Sequence, residues 1–297
     1  MRDPVSGHVW ITGANGQVGR ALLQQVPASV QAVALRRDNA DLQDLRWISA
    51  LEQESPPALI LHVGAYTAVD RAELDREAAW LVNVEATRAL GECAARHGAP
   101  LVYVSTDYVF PGDRPTPWSP DDATQPLGWY GETKWQGERA LQAIEGLHCA
   151  VVRTSWVYDA QGQNFVRTML RLMATRDSIG VVGDQFGTPT SARDLAAFLW
   201  HVAQVRATGV FHYANAGSAS WYDFAVAIYE EATALGMLNR PAEIRPITTA
   251  EYPTPARRPS FSVLNRASAW QLAEKVSPHW RVSLREVLRD IQLSGCP

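Results

Sequence analysis

Ile11-Thr12-Gly13-Ala14-Asn15-Gly16-Gln17-Val18-Gly19 lies between a short apolar run, His8–Thr12, and an apolar helical pattern, Val18–Gln25. Glycines 13, 16 and 19 let the backbone turn tightly and come close to a pyrophosphate. The helix that follows aims its free N–H groups and positive dipole end at the anion. The spacing is GxxGxxG rather than GxGxxG, and three glycines alone would also fit an ordinary turn. With a strand before and a helix after, the stretch reads as the dinucleotide loop of a βαβ unit.

Outward from that loop, short β-branched runs alternate with helical patterns, which predicts a parallel sheet wrapped by helices. Strands are expected at His8–Thr12, Val30–Leu35, Leu59–Val63, Leu101–Ser105 and Ala150–Thr154, each nearly continuous in apolar residues as strands buried on both faces are. Helices are expected at Val18–Gln25, Leu42–Glu54, Arg76–His97 and Tyr130–Ile144, with Gly98 at the helix C-cap. Beyond Thr154 the pattern loosens. Helices at Phe165–Thr175, Ala192–Val205, Tyr222–Leu235 and Val282–Ile291 are separated by Gly- and Pro-rich loops, Ser220 is placed to cap the third, and Pro246 to Pro259 reads as an ordered irregular loop. The expected fold is α/β, a Rossmann-type doubly wound parallel sheet with a smaller, mixed C-terminal substrate-binding lobe. The dinucleotide-binding part is expected over residues 1–154, with 188–206 packing back onto it, and the substrate lobe over 155–297.

Composition narrows the function. The 297 residues are 46% hydrophobic and 20% charged with a net charge of −4, so no basic field recruits nucleic acid or anionic membrane. The longest uncharged apolar run, Ala58 to Ala65, is too short for a bilayer, and Met1-Arg2-Asp3-Pro4 leads almost directly into a strand, leaving no room for a signal peptide. A cytoplasmic protein is expected. Cys93, Cys149 and Cys296 are too few and too scattered for a disulfide framework or a zinc site. The 11 tryptophans exceed what a core of this size needs.

The second strand ends at Leu35-Arg36-Arg37-Asp38. An acidic residue there holds the adenosine ribose, whereas arginine accommodates a 2′-phosphate, and two arginines coming first favour NADPH over NADH. Asp41-Leu42 could reach the adenine; helix N-capping fits Asp41 equally well. The fourth strand ends in Ser105-Thr106-Asp107-Tyr108, outside the carboxyl ends of the strands where open α/β sheets bind ligands. Downstream, Tyr130 and Lys134 share one helical face. A lysine ammonium beside a phenol stabilises phenolate and is expected to draw the tyrosine pKa down from ~10. Tyr130 is then the proton donor to an alkoxide formed by hydride addition to a carbonyl, with Thr106 orienting the same oxygen.

These blocks together resemble the dTDP-4-dehydrorhamnose reductase family of extended short-chain dehydrogenases/reductases. The resemblance runs nearly end to end: Gly13–Gly19, Ala65-Tyr66-Thr67-Ala68-Val69-Asp70, Ser105–Phe110, Tyr130–Lys134, Arg153–Tyr158, Gly183–Thr190 and Glu251–Pro259. It implies reduction of dTDP-4-dehydro-β-L-rhamnose at C4 to dTDP-β-L-rhamnose, the last step in making activated rhamnose for bacterial surface polysaccharides. By carry-over, Thr106, Tyr130 and Lys134 are the catalytic set, with Lys134 also holding the nicotinamide ribose. Gly16, Gln17, Val18, Arg36, Asp41, Leu42, Ala65, Tyr66 and Thr67 line the cofactor, beside Gly13 and Gly19. Thr106, Asp107 and Trp156 contact the sugar nucleotide, and Asn83 resembles a family asparagine that helps to orient the lysine through water.

There are departures. His62-Val63-Gly64-Ala65 replaces the family's Asn-Ala-Ala-Ala, and His62 reads as a satisfied buried histidine rather than a catalyst. A homodimer is compatible with the resemblance, and some members link theirs through magnesium and a glutamate just after the third glycine. Gly19-Arg20-Ala21-Leu22 offers no carboxylate, so no metal is expected. Arg257 and Arg258 are candidates for the substrate diphosphate, with an internal salt bridge to hold the proline loop as the competing reading. Trp221 and Tyr222 read as packing, and Asp184 and Gln185 as a supporting loop. Two other functions compete with the reductase. One is an epimerase or dehydratase that reuses a tightly held NAD⁺, the dehydratase being disfavoured because Thr106-Asp107-Tyr108 lacks an acidic pair; the other is a non-catalytic dinucleotide-binding subunit, disfavoured because Tyr130 and Lys134 are both kept.

Overall fold

The computed structural model describes residues 7–295. Met1–Pro4 and Cys296 lie outside them. Six strands form one parallel sheet: β1 (Gly7–Thr12), β2 (Val30–Leu35), β3 (Pro57–His62), β4 (Leu101–Thr106), β5 (Cys149–Thr154) and β6 (Gly209–His212). The order across it is β6-β5-β4-β3-β1-β2. The chain runs outward from β1 to β2, then returns to the other side of β1 with β3. The reversal leaves a crevice at the carboxyl ends of β1 and β3, the usual ligand position in such sheets.

Alternation along each strand builds two cores. Val9, Ile11, Leu59, Leu61, Val102, Ala150 and Val152 face α1 (Gln17–Gln24) on one side of the sheet. Trp10, Ile60, Leu101, Tyr103 and Val151 point to the other, against residues of α2 (Arg46–Glu54), α5 (Ala86–Arg96) and α6 (Trp129–Gln142). Period-two strands filled with apolar residues on both sides require this double cover.

The remaining helices are α3 (Val69–Ala72) and α4 (Arg76–Trp80) in the first half, and α7 (Phe165–Thr175), α8 (Ala192–Gln204), α9 (Trp221–Ala234), α10 (Ala267–Leu272) and α11 (Trp280–Leu293) in the second. A separate core joins α7, α9 and α11 through Met169, Phe224, Ile228, Leu284 and Leu288. Ser220 caps α9: its Oγ accepts from the Asp223 N–H at 3.0 Å, and the Asp223 carboxylate accepts from the Ser220 N–H, a reciprocal capping box. Gly98, at φ +60°, ends α5 as expected.

Three expectations need correction. The helix expected from Leu42 starts at Arg46, because Asp41 Oδ1 accepts from the Gln43 N–H at 3.0 Å and Asp44 takes the Arg46 N–H, turns that compete with the helix. The single helix expected over Arg76–His97 is α4, a π-helical turn at Leu81–Glu85, and α5. The loop expected from Pro246 begins inside a strand, Glu243–Ile247, parallel to Ser178–Val182, and continues into a 3₁₀ turn at Thr249–Glu251. No helix among the described residues is long and apolar enough to cross a membrane.

Candidate active site

A cleft of about 740 Å³ opens at the carboxyl ends of β1, β3 and β4. An adjoining trough of about 380 Å³ extends past the end of β2. One wall of the cleft is the glycine loop. Gly13 takes φ +63°, and a Cβ on Gly19 would stand 2.3 Å from the Gly13 carbonyl oxygen, so α1 can approach the loop only with glycine there. The N-cap, Gly16, offers no side chain to the first-turn amides, and that turn carries no acid. Its N–H groups are left for an anion.

Gly13, Gly16, Gln17, Val18, Gly19, Arg36, Ala65 and Thr67 all line the cleft; Asp41, Leu42 and Tyr66 line the trough. Arg37 joins Arg36 at the β2 end, where its Nε lies 3.6 Å from Asp41 Oδ2 in a largely exposed pair. Arg20 also lines the cleft, reaching Asp159 at 3.7 Å, and its Nε and Nη2 are buried without a hydrogen-bond partner among the described residues. Guanidinium donors with spare hydrogen-bonding capacity beside a bare helix N-terminus fit a diphosphate. The donor set therefore suits an anionic dinucleotide.

At the opposite end Thr106, Asp107, Tyr130, Lys134 and Trp156 meet. Thr106 closes β4, and its Oγ1 donates to Asp107 Oδ1 at 3.1 Å and accepts from the Tyr108 N–H at 3.2 Å. Asp107 Oδ2 is buried without a hydrogen-bond partner among the described residues, and burial pushes this carboxyl up to about 7. Tyr130 and Lys134 project from α6, with the Tyr130 ring edge-on to Tyr108 and the Lys134 ammonium 4.0 Å from the Tyr103 ring centroid. Close approach of α6 depends on Gly137, where a Cβ would lie 2.4 Å from the Asn83 carbonyl oxygen and 2.6 Å from Tyr103 Oη.

The expected lowering of the Tyr130 pKa is not what the protein's own groups produce. Burial, opposed by a hydrogen bond with Thr106 and reinforced by Asp107, pushes the phenol up to about 12. Burial also pulls Lys134 down to about 7, and the Glu138 carboxylate opposes that fall. A dry pocket disfavours every charge, so Tyr130 stands as a neutral phenol, the form that donates a proton.

Asn83 sits in the π turn. Its Oδ1 accepts from the Tyr66 N–H at 2.8 Å, and its Nδ2 donates to Tyr66 O at 3.2 Å and Thr133 Oγ1 at 3.0 Å. It thus pins the loop carrying Ala65, Tyr66 and Thr67 to the residue before Lys134. His62 is fully buried between Thr12 Oγ1 at 2.7 Å and Thr87 Oγ1 at 3.0 Å, and burial pushes it down to about 3, keeping it neutral. It bridges two elements and lines neither cavity.

A family model described as the RmlD substrate binding domain matches residues 7–293. The chain is 38% identical over 295 residues to the dTDP-4-dehydrorhamnose reductase of Sinorhizobium fredii, an alignment covering 96% of this chain and 98% of that protein. The chain belongs to the dTDP-4-dehydrorhamnose reductase family. It is also 41% identical to a Streptomyces antibioticus protein named as a probable dTDP-4,6-dihydroxy-2-methyloxan-3-one 4-ketoreductase, over 97% of this chain and 96% of that one. The crystal structure of dTDP-4-dehydrorhamnose reductase from Bacillus anthracis, in complex with NADP, superposes with a TM-score of 0.89 at 33% identity, covering 96% of this chain and 99% of that one. This member of the family is a nicotinamide-dependent oxidoreductase with a Rossmann-type fold.

Within this member of the reductase family, Arg258 is not on the cleft wall. Its Nη2 donates to Asp70 Oδ2 at 2.7 Å and its Nη1 to Thr254 and the Ala256 carbonyl, which is the ion pair weighed against diphosphate contact. Asp184 and Gln185 both hold Thr249 and so brace the proline-rich loop. Trp221, expected to pack, lines the cleft: its ring stacks on Trp156 at 3.5 Å and 8°, with Phe165 behind it. Trp156 has φ +47°, unusual for a bulky residue. The stack with Trp221 holds it there, a pairing 65 residues apart that no local pattern announces. Away from the cleft, Glu52, Cys93 and His97 bring ligand atoms within 4.8 Å of one another, but Arg96 already occupies Glu52.

Proposed function

We propose that the protein reduces the C4 keto group of dTDP-4-dehydro-β-L-rhamnose to dTDP-β-L-rhamnose, with NADPH as cofactor. The observation that carries this reading is the convergence of Thr106, Tyr130 and Lys134 in the same cleft as the glycine loop. Bound NADPH would supply the hydride. The α1 N-terminus and Arg20 hold its diphosphate, Arg36 and Arg37 its adenosine 2′-phosphate, and Lys134 its nicotinamide ribose. Tyr130 donates its phenolic proton to the carbonyl oxygen as that oxygen gains negative charge. The Lys134 ammonium stabilises the phenolate left behind, and Thr106 gives the oxygen a second hydrogen bond. Trp156, backed by Trp221, forms the wall beside the sugar.

The Streptomyces relative favours a second substrate for the same chemistry, another dTDP-linked 4-keto sugar. Purified protein is incubated with dTDP-4-dehydro-β-L-rhamnose and either NADPH or NADH, and oxidation is followed by loss of near-ultraviolet absorbance. Turnover is expected, with the lower KM for NADPH. Oxidation of neither cofactor with this sugar nucleotide would rule the substrate out, and equal KM values would remove the role of the two arginines.

A further inference from the structure

An ion pair beside the cleft takes no part in the chemistry above. Glu138 lies on α6, one helical turn after Lys134, and is 1% exposed; Arg153, on β5, is 4% exposed. Arg153 Nη2 donates to Glu138 Oε2 at 2.7 Å and its Nε to Oε1 at 3.0 Å. Its Nη1 donates to the Pro120 carbonyl at 3.2 Å. From the other side, Ser105 Oγ donates to Glu138 Oε1 at 2.5 Å. Ser105 immediately precedes Thr106, so one carboxylate touches the strand end that bears Thr106 and the helix that bears Lys134.

Joining a helix to a strand does not require charge. Taking two ions out of water is costly, and an apolar pair of equal volume often holds such elements as well or better. What an apolar pair lacks is a field. The groups near Lys134 are Tyr130 and Glu138 from its own helix, the Tyr103 ring from β4 and His62 from β3, and Arg153 binds the far side of the Glu138 carboxylate. Burial keeps His62 neutral and pushes both phenols up, and Glu138, held by the Arg153 guanidinium, is the carboxyl group among them.

We propose that Glu138, neutralised from behind by Arg153, is a positioning residue that holds the Lys134 ammonium charged in a dry pocket and fixes the Thr106 strand end through Ser105. The inference rests on the reading of Lys134 as a catalytic group. Its two halves act in opposite senses: loss of the carboxylate exposes Lys134 to an unbalanced guanidinium, whereas loss of the guanidinium leaves it an unbalanced carboxylate.

The test uses the chain's scarcity of lysine. Lys134 and Lys275 are the two lysines in the sequence. Protein labelled with ¹⁵N at the lysine Nζ gives two side-chain resonances, assigned with Lys275→Arg, whose pH titrations are read directly. In Glu138→Gln the Lys134 midpoint should fall by about one pH unit, and in Arg153→Met it should rise by about as much. The alkaline limb of kcat should move in the same two directions. A merely structural pair would shift both variants the same way or neither, and that result overturns the proposal. If either single variant fails to fold, Glu138→Gln/Arg153→Met, which leaves no unpaired charge, decides: a lowered midpoint supports the proposal and an unchanged one overturns it. If the variants show these shifts but the wild-type protein reduces no 4-keto sugar nucleotide, the functional reading fails while the effect of Glu138 on the Lys134 charge stands.

Discussion

At the β4 end of the cleft Thr106, Asp107 and Lys134 are each 5% exposed or less, whereas at the β2 end the Arg37 side chain is 80% exposed. The dry end displaces the pKa values of Asp107, Tyr130 and Lys134 by burial. The wet end leaves its arginines screened by water. Charges in the first region are few and strongly coupled, so a single change there alters the chemistry. Those in the second are numerous and individually weak, so a change there alters cofactor choice.

The sharpest way to break this contrast is Tyr130→Phe. It removes the proton donor, and kcat should fall by about 10²–10⁴-fold. Equilibrium NADPH binding, measured by fluorescence, should hold within about twofold, because the glycine loop and the arginines are untouched. A variant that keeps its kcat removes Tyr130 from the mechanism.

A smaller effect is expected at the wet end. Arg36→Ala/Arg37→Ala should raise the KM for NADPH by about tenfold and leave that for NADH nearly unchanged. The NADPH penalty should shrink as salt is added, since these side chains are exposed. Loss of both cofactors alike would place the arginines away from the 2′-phosphate.

The smallest expected effect is on stability. Asp107 is raised from 3.8 to about 7, chiefly by burial, so between those values the folded protein binds a proton that the unfolded chain has released. Stability therefore falls as pH rises through that window, and the cost is complete above about 7. Asp107→Asn mimics the protonated form. It should match wild type below pH ~4 and exceed it by several degrees in Tm at pH ~8, while weakening activity. An identical Tm profile would mean that solvent reaches the carboxylate.

Much of the sheet half was legible because its signals are local. Continuous apolar runs marked five strands, and glycine spacing with strand context marked the loop. What escaped depends on side-chain hydrogen bonds, short-range or distant, that apolar periodicity does not carry. Asp41 and Asp44 turn the backbone with their own side chains and delay α2, a competition that apolar periodicity does not register. The π turn around Asn83 costs nothing visible in sequence and shows only as hydrogen bonds to Tyr66 and Thr133. Arg258 could be weighed between phosphate and carboxylate, but its partner, Asp70, lies 188 residues away. Glu138 carried one weak hint, an acid one turn beyond the lysine, without the Arg153 that gives it meaning. Trp221 gave none.

The sixth strand has a consequence for synthesis order. A ribosome delivers β1 to β5 well before Gly209–His212, and α8, which packs against α1, comes between. Until then the growing chain presents β5 with an unpaired edge and one apolar face of the sheet uncovered, the configuration most prone to pairing with a neighbour. The glycine loop, made first, reaches its final support only after two-thirds of the polypeptide has emerged, so the nascent chain spends most of its translation without a finished cofactor cradle.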